Sequence, residues 1–318
     1  MKTKLTKQEK NWILYDVGNS AFTLLAATIL PIYFNYIAGK QGLSDVQYLA
    51  YWGYAVSIAT LLTALAGPVF GTVADTKGYK KPVFTIALGI GAIASVALGF
   101  AKYWLVFLIV FVIAKVGYSV TLVFYDSMLV DVTSEDRMDE VSSQGYAWGY
   151  IGSCVPFVIC LLVVLNAGKI GITMETAMMV SFVIITVWWV IMTLPLLKTY
   201  HQKYYVEKKQ HAFSESFERI GITLKNVKKE KKVFLFLLAF FFYIDGVYTI
   251  IDMATAYGSA LGLSSTGLLL ALLLTQIVAF PFAIIFGRLA KKYSAEKLIT
   301  VCIVAYLGVA IFAIFLHY

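Results

Sequence analysis

Residues 11–34 read "NWILYDVGNSAFTLLAATILPIYF". Most of the stretch is apolar enough to dissolve in lipid, yet near its start it carries Asp16 and Asn19, three residues apart. A soluble protein would turn such residues to a wet face. In a segment that spans a bilayer they sit where polar groups are costly, and something must hold them there. The rest of the chain decides between these settings. Of its 318 residues 60% are hydrophobic and only 14% are charged, far more apolar surface than one or two soluble cores can bury. The chain therefore belongs in a membrane. The apolar run after the basic N-terminus is too long for a signal peptide and shows no small-residue cleavage site, so it reads as a retained first helix.

A transmembrane helix needs about 20 largely apolar residues. That criterion picks out runs near 12–38, 46–74, 82–101, 103–130, 143–166, 176–197, 233–258, 264–286 and 297–317. The only substantial polar interruption, "KTYHQKYYVEKKQHAFSESFERIGITLKNVKKEKK" at 198–232, divides six helices from three. The expected domains are thus a six-helix bundle over 1–197, a cytoplasmic linker over 198–232 and a partial three-helix bundle over 233–318.

Basic residues are retained on the cytoplasmic side. The N-terminus and the loops at 75–81, 131–142, 198–232 and 287–297 hold all but four of the 26 Lys and Arg; the opposite loops hold only Lys40, Lys102 and Lys169, and Lys115 lies inside a span. The N-terminus is accordingly expected in the cytoplasm. The net charge of +8 fits a basic inner face meeting anionic lipid and requires no nucleic acid. Within the linker, Phe213, Phe217, Ile220, Leu224 and Val227 recur at spacings of four and three, the pattern of a short amphipathic helix at the inner headgroups, beneath the bundle or against another protein.

The three cysteines fall inside apolar runs, and the three histidines lie in the polar loop or at the chain end. Neither set has ligand or disulfide spacing. No phosphate-binding, zinc-protease or serine-nucleophile pattern appears, and Gly89 and Gly91 lie within a span rather than at a strand-to-helix turn. Neither cofactor, metal nor enzymatic activity is expected.

An internal repeat is visible. "GTVADTKGYKK" (71–81) follows the second span and "GRLAKKYSAEK" (287–297) follows the eighth, matching at Gly71 and Gly287, Ala74 and Ala290, and Lys81 and Lys297. "YDVGNSAF" in span one has a loose counterpart, "YIDGVYTI", in span seven. Parallel six-helix halves are the implied plan, with about nine of an expected twelve helices present. The sequence stops at "FLHY" without a basic tail, so a truncated chain is the expectation.

Gly71, Ala74, Asp75, Gly78, Lys80 and Lys81 resemble the G-x-x-x-D-x-x-G-x-K/R-K/R loop of the major facilitator superfamily. Within it, "YDVGNSAF", "VSSQGYAWGYIG", "AFFFYIDGVYTI", "AYGSALGLS" and "QIVAFPFAIIFGRLA" resemble blocks of the vacuolar amino-acid effluxer-like family, known from fungal autophagy and with many bacterial members. The resemblance implies an all-α, multi-pass secondary transporter that moves small solutes such as amino acids by alternating access, with Gly71, Asp75, Gly78, Lys80 and Lys81 as a gating loop. A transporter-like receptor or scaffold that has lost transport is the alternative. The implied location is a bacterial inner membrane, with a vacuolar one as the competing reading. One departure stands out: Lys291 occupies the place of Asp75 in the second copy, so the two loops cannot act equivalently.

The polar residues inside the spans are the candidates for a solute or proton path. Asp16, with Asn19 on nearly the same face, is placed about one turn inside the cytoplasmic end of span one. Either it is an interfacial acid, or it binds a cation, a proton or a substrate amine. Lys115 and Asp126 are eleven residues apart in span four, about 20° off a common line, with Lys115 near the midplane. Asp245 and Asp252 share a face of span seven. Burial disfavours the charged form of an unpaired carboxylate at Asp245, the property proton coupling needs. Lys115 and Asp245 are expected to face each other across the cavity and to hold the two charges of a zwitterion; a structural pair between Lys115 and another helix is the alternative. Gly145, Gly149 and Gly152 put a small face on span five, suited to helix packing.

Overall fold

A computed structural model describes residues 4–207, 221, 222, 225–227 and 229–314. The amphipathic pattern expected in the linker lies outside the described residues apart from Val227. The helices are α1 (Lys7–Ala27), α2 (Ile29–Lys40), α3 (Asp45–Ala74), α4 (Lys80–Ala97), α5 (Trp104–Val132), α6 (Met138–Leu165), α7 (Met174–Thr199), α8 (Lys231–Ala260), α9 (Ser265–Leu289) and α10 (Ala295–Ile314). Among the described residues, with α1 and α2 counted as one span, nine segments are long and apolar enough to cross a membrane, and they fall where the hydropathy of the sequence placed them. The fold is all-α.

The first span is broken rather than continuous. Pro31 lacks the N–H that would bond to the carbonyl of Ala27, and its ring crowds that carbonyl. The helix accordingly ends at Ala27 and restarts after Thr28. At its other end α1 starts earlier than the apolar run, because Thr6 and Glu9 form a reciprocal capping box. Glu9 is fully buried and also accepts from Thr133 Oγ1 at 2.7 Å and Arg137 Nη2 at 3.1 Å. One carboxylate thereby ties the start of α1 to the α5–α6 connection.

Lipid gives helices no hydrophobic reason to associate, so close backbone approach at small residues carries much of the packing. A Cβ on Gly145, Gly149 or Gly152 of α6 would fall 2.9 Å from the Trp12 ring, 2.6 Å from Ser20 Oγ or 2.5 Å from Val17 Cγ1, all on α1. The small face of α6 is a helix-packing surface. Likewise Gly117 on α5 meets Gly91 on α4, where a Cβ would lie 2.7 Å from a backbone nitrogen. Between these seams, aromatic rings fill the outer half of the bundle, with Trp52 stacked on Phe111 and Phe34 on Phe107.

The later helices meet this bundle at two places. The outer half of α8 rests on α2, α3 and α5: Thr255, Ala256 and Gly258 are buried, Trp52 Nε1 donates to the Asp252 carbonyl at 3.2 Å, and Ser259 bonds the Tyr48 hydroxyl. The inner half, Val233 to Phe242, is exposed. α9 runs along α6, with Phe280 against Trp148, Gly287 against Ser143 and Lys291 Nζ 2.8 Å from Glu140 Oε2. α10 is exposed along almost all its described length.

Candidate functional site

Asp16 is nine residues into α1, about 13 Å from its inner end at 1.5 Å per residue. The capping box extends the helix beyond the apolar run, so Asp16 lies farther from the helix end than from the start of that run. Its side chain is buried at 6% exposure, and Asn19 Nδ2 donates to its Oδ1 at 3.2 Å. Its Oδ2 and the Tyr125 hydroxyl converge beside Gly145, whose Cβ would lie 3.0 and 3.2 Å from them. Tyr125 is held there by stacking on Trp12, with centroids 4.1 Å apart, and by contact with Tyr15 at 4.5 Å. Its hydroxyl is buried and has no hydrogen-bond partner among the described residues, a costly condition for a polar group.

Asp126 lies six residues from the inner end of α5, at a depth comparable with Asp16, and the two carboxylates are within electrostatic reach of each other. Asp126 is exposed to the cleft and makes no ion pair among the described residues. Tyrosines surround the two acids. Tyr125 and Tyr146 are in reach of both, Tyr150 of Asp16, and Tyr248 on α8 of Asp126 and Asp252. Side chains from α1, α5, α6 and α8 are therefore within electrostatic reach of one another.

Lys115 lies eleven residues before Asp126 on α5. The expected facing partner was Asp245; the structure instead gives Lys115 Nζ to Asp252 Oδ1 at 2.6 Å, with both side chains about seven-eighths buried, and leaves Asp245 exposed. Helix register explains the difference. Lys115 is eleven residues from the outer end of α5, about 16 Å, whereas Asp252 and Asp245 are eight and fifteen residues from the outer end of α8, about 12 and 22 Å. A lysine side chain stretches toward the nearer interface, which selects the outer acid. The zwitterion clamp between Lys115 and Asp245 is thus not assembled. The Lys115–Asp252 pair joins α5 to the end of α8 where Thr255, Ala256 and Gly258 are buried, while Val233 to Phe242 of α8 are exposed.

The 75–81 loop is built around a residue the sequence reading did not single out. Asp75 ends α3 with its side chain 60% exposed, 4.0 Å from Lys80. Lys80 is buried and turns instead to Asp131 at 3.4 Å and to the Ser127 carbonyl at 3.3 Å. Asp131, 1% exposed, also accepts from the Tyr200 hydroxyl and from the backbone N–H groups of Lys203 and Tyr204 at 2.9 and 3.0 Å. Burial and the Asp131 carboxylate together push the Tyr200 phenol well above its ordinary range. Gly78 turns the loop with φ of 79°, a left-handed conformation natural to glycine, and its N–H donates to Gln202 Oε1 at 3.0 Å. Gly71 stands open and Lys81 is exposed. Asp131 is the first acid of "DVTSEDRMDE"; its place at the end of an apolar run, beside the basic loop at 75–81, was the available signal.

A separate hollow of about 570 Å³ lies at the outer end between α2, α6, α7 and the α8–α9 turn, lined by Tyr33, Asn35, Tyr36, Met178, Ser259 and Thr266 among others. None of its lining residues carries a charge.

The family described as "Vacuole effluxer Atg22 like" matches residues 5–137 and 130–316. An uncharacterised MFS-type transporter, YxiO of Bacillus subtilis, is 42% identical over 322 aligned residues, covering all of this chain and 75% of that relative. Two proteins named multidrug resistance protein MdtG, from Yersinia enterocolitica and Proteus mirabilis, are 36% and 35% identical over 92 residues, 29% of this chain and 21% of each relative. Nine apolar spans, the G-x-x-x-D-x-x-G-x-K-K loop and these likenesses agree: the chain belongs to the Atg22-like family of major-facilitator-type membrane transporters.

Proposed function

We propose that this transporter is secondary active and moves a small amine-bearing solute by alternating access through the cleft between α1, α5, α6 and α8. The observation that carries the reading is the pair Asp16 and Asp126: two acids inside spans, in reach of each other, with no basic partner among the described residues. Intramembrane acids without partners are expensive and mark ion or substrate paths. An incoming ammonium or proton supplies the missing positive charge, so the pair suits coupled movement of both. Amino acids are the solutes that the family resemblance implies. Lys115–Asp252 acts as the outer closure and the Asp75–Lys80–Asp131 cluster as the inner gate, with Lys291–Glu140 bridging the inner ends of α6 and α9. The transporter then has a six-helix bundle over 1–197, a cytoplasmic linker over 198–232 and a partial three-helix bundle over 233–318, and sits in a bacterial inner membrane with its N-terminus in the cytoplasm.

Proteoliposomes loaded with a pH-sensitive dye test the coupling. Adding a panel of amino acids and simple amines should change the internal pH for at least one of them, and Asp16→Asn should abolish the change. Solute flux with no proton movement would remove proton coupling; no flux of any solute would favour the receptor or scaffold alternative.

A further inference from the structure

Asp75 follows directly on α3, and the last carbonyls of a helix have no partner within it. Here they are met from far along the chain. Just past α7, Gln202 Nε2 donates to the Ala74 carbonyl at 3.1 Å and to the Asp75 carbonyl at 3.4 Å, while its Oε1 accepts from the Gly78 N–H. Four residues on, Val206 pairs with Thr76 in a parallel β-bridge: its N–H donates to the Asp75 carbonyl at 2.8 Å, and its carbonyl accepts from the Lys77 N–H at 3.0 Å. Glu207 reaches Lys77 at 3.1 Å, with the Lys77 ammonium 4.7 Å from the Tyr205 ring centre.

The same segment is anchored to α5. The Tyr200 hydroxyl and the N–H groups of Lys203 and Tyr204 all donate to Asp131. Lifting the segment away would leave that buried carboxylate short of three donors, a costly loss. Every one of these partners lies on α3, on α5 or in the loop after α3, so the segment travels with those helices as one piece. The Asp75 backbone is thereby fixed, while its carboxylate stays 60% exposed and only 4.0 Å from Lys80. A charge on an immobilised backbone, with its side chain free, is what a gate that exchanges ion-pair partners needs.

Resting on the transporter reading above, we infer that residues 200–207 form a permanent strap that positions Asp75 for gating, with Gln202 as its positioning side chain.

The test uses the full chain with Cys154, Cys160 and Cys302 replaced, in proteoliposomes supplied with a radiolabelled amino-acid mixture. Gln202→Ala should lower the saturating rate at least fivefold and leave the half-saturating concentration within twofold. A disulfide across the bridge, from Thr76→Cys with Val206→Cys, should leave the parent rate unchanged and restore the rate of Gln202→Ala until it is reduced. Loss of flux on forming that disulfide in the parent would show that the strap has to release, and a parent rate in Gln202→Ala would show that it positions nothing; either overturns the inference. Hydrogen–deuterium exchange reads the strap without a solute. Peptides covering 75–80 and 201–207 should exchange slowly, and at least tenfold faster in Gln202→Ala. Fast exchange in the unaltered chain would refute the strap whether or not flux is found. Slow exchange there with no flux of any amino acid would uphold the strap and count against the transporter reading.

Discussion

Two sets of charges share the cleft and are treated in opposite ways. Near the outer end, Lys115 and Asp252 meet at 2.6 Å, and the Asp252 backbone is held by Trp52. Toward the other end of α5, among the described residues, Asp16 has only Asn19 and Asp126 has no ion pair. The matched pair joins α5 to α8 and is complete without a ligand. The unmatched acids are held by α1 and α5 in positions that an outside cation completes. The contrast separates a closure from a binding site more clearly than polarity alone, because every one of these residues looks equally anomalous in an apolar span.

The largest expected effect lies in the matched pair. Lys115→Ala or Asp252→Ala alone should destabilise the protein by about 3–5 kcal/mol, because each leaves a buried charge without its partner. The double replacement Lys115→Met with Asp252→Leu should recover most of that loss. Thermal unfolding in detergent reads both; single variants as stable as the parent would show that the pair does not join the helices. Next comes Asp131→Ala, which orphans Lys80, the Tyr200 hydroxyl and two backbone N–H groups together. A loss of about 3 kcal/mol is expected, and a chain that unfolds at the parent temperature would contradict the buried hub.

The exposed contrast is Lys291 with Glu140, whose side chains are 57% and 30% accessible. Lys291→Ala should cost at most about 1 kcal/mol, so a loss as large as that of Lys115→Ala would mean that burial is not what separates the two pairs. Smallest of all is Asp126→Asn, which removes a charge that no ion pair among the described residues matches. Stability should stay within about 0.5 kcal/mol of the parent while ligand binding falls. A large loss of stability there would reveal a structural partner and erase the distinction.

The architecture was legible because lipid imposes a coarse rule: about 20 apolar residues per span and basic loops on one side. The break at Thr28 was also written in the sequence, as Pro31, although a window of apolar residues passes over it. The site was legible in part. Asp16, Asn19, Lys115, Asp126 and Asp252 were visible as polar residues in apolar runs, and the structure joins Asn19 to Asp16 and Lys115 to Asp252; Asp245, visible by the same signal, is exposed. Which acid Lys115 meets was not legible, because it depends on how far α8 slides along α5, a quantity set by packing between distant segments. Asp131 was hidden for a related reason: its partners lie at the start of α4, at the end of α7 and just beyond α7, and no local pattern brings them together.

The central claim is that Asp126 lines a water-filled cleft open to the cytoplasm and closed outward by Lys115–Asp252. The direct test places a cysteine at position 126 in a chain whose own Cys154, Cys160 and Cys302 have been replaced, and measures its reaction with an impermeant thiol reagent from each side of the membrane. The account predicts faster reaction in inside-out vesicles than in right-side-out ones. No reaction from either side, or reaction from the outer side alone, would contradict it.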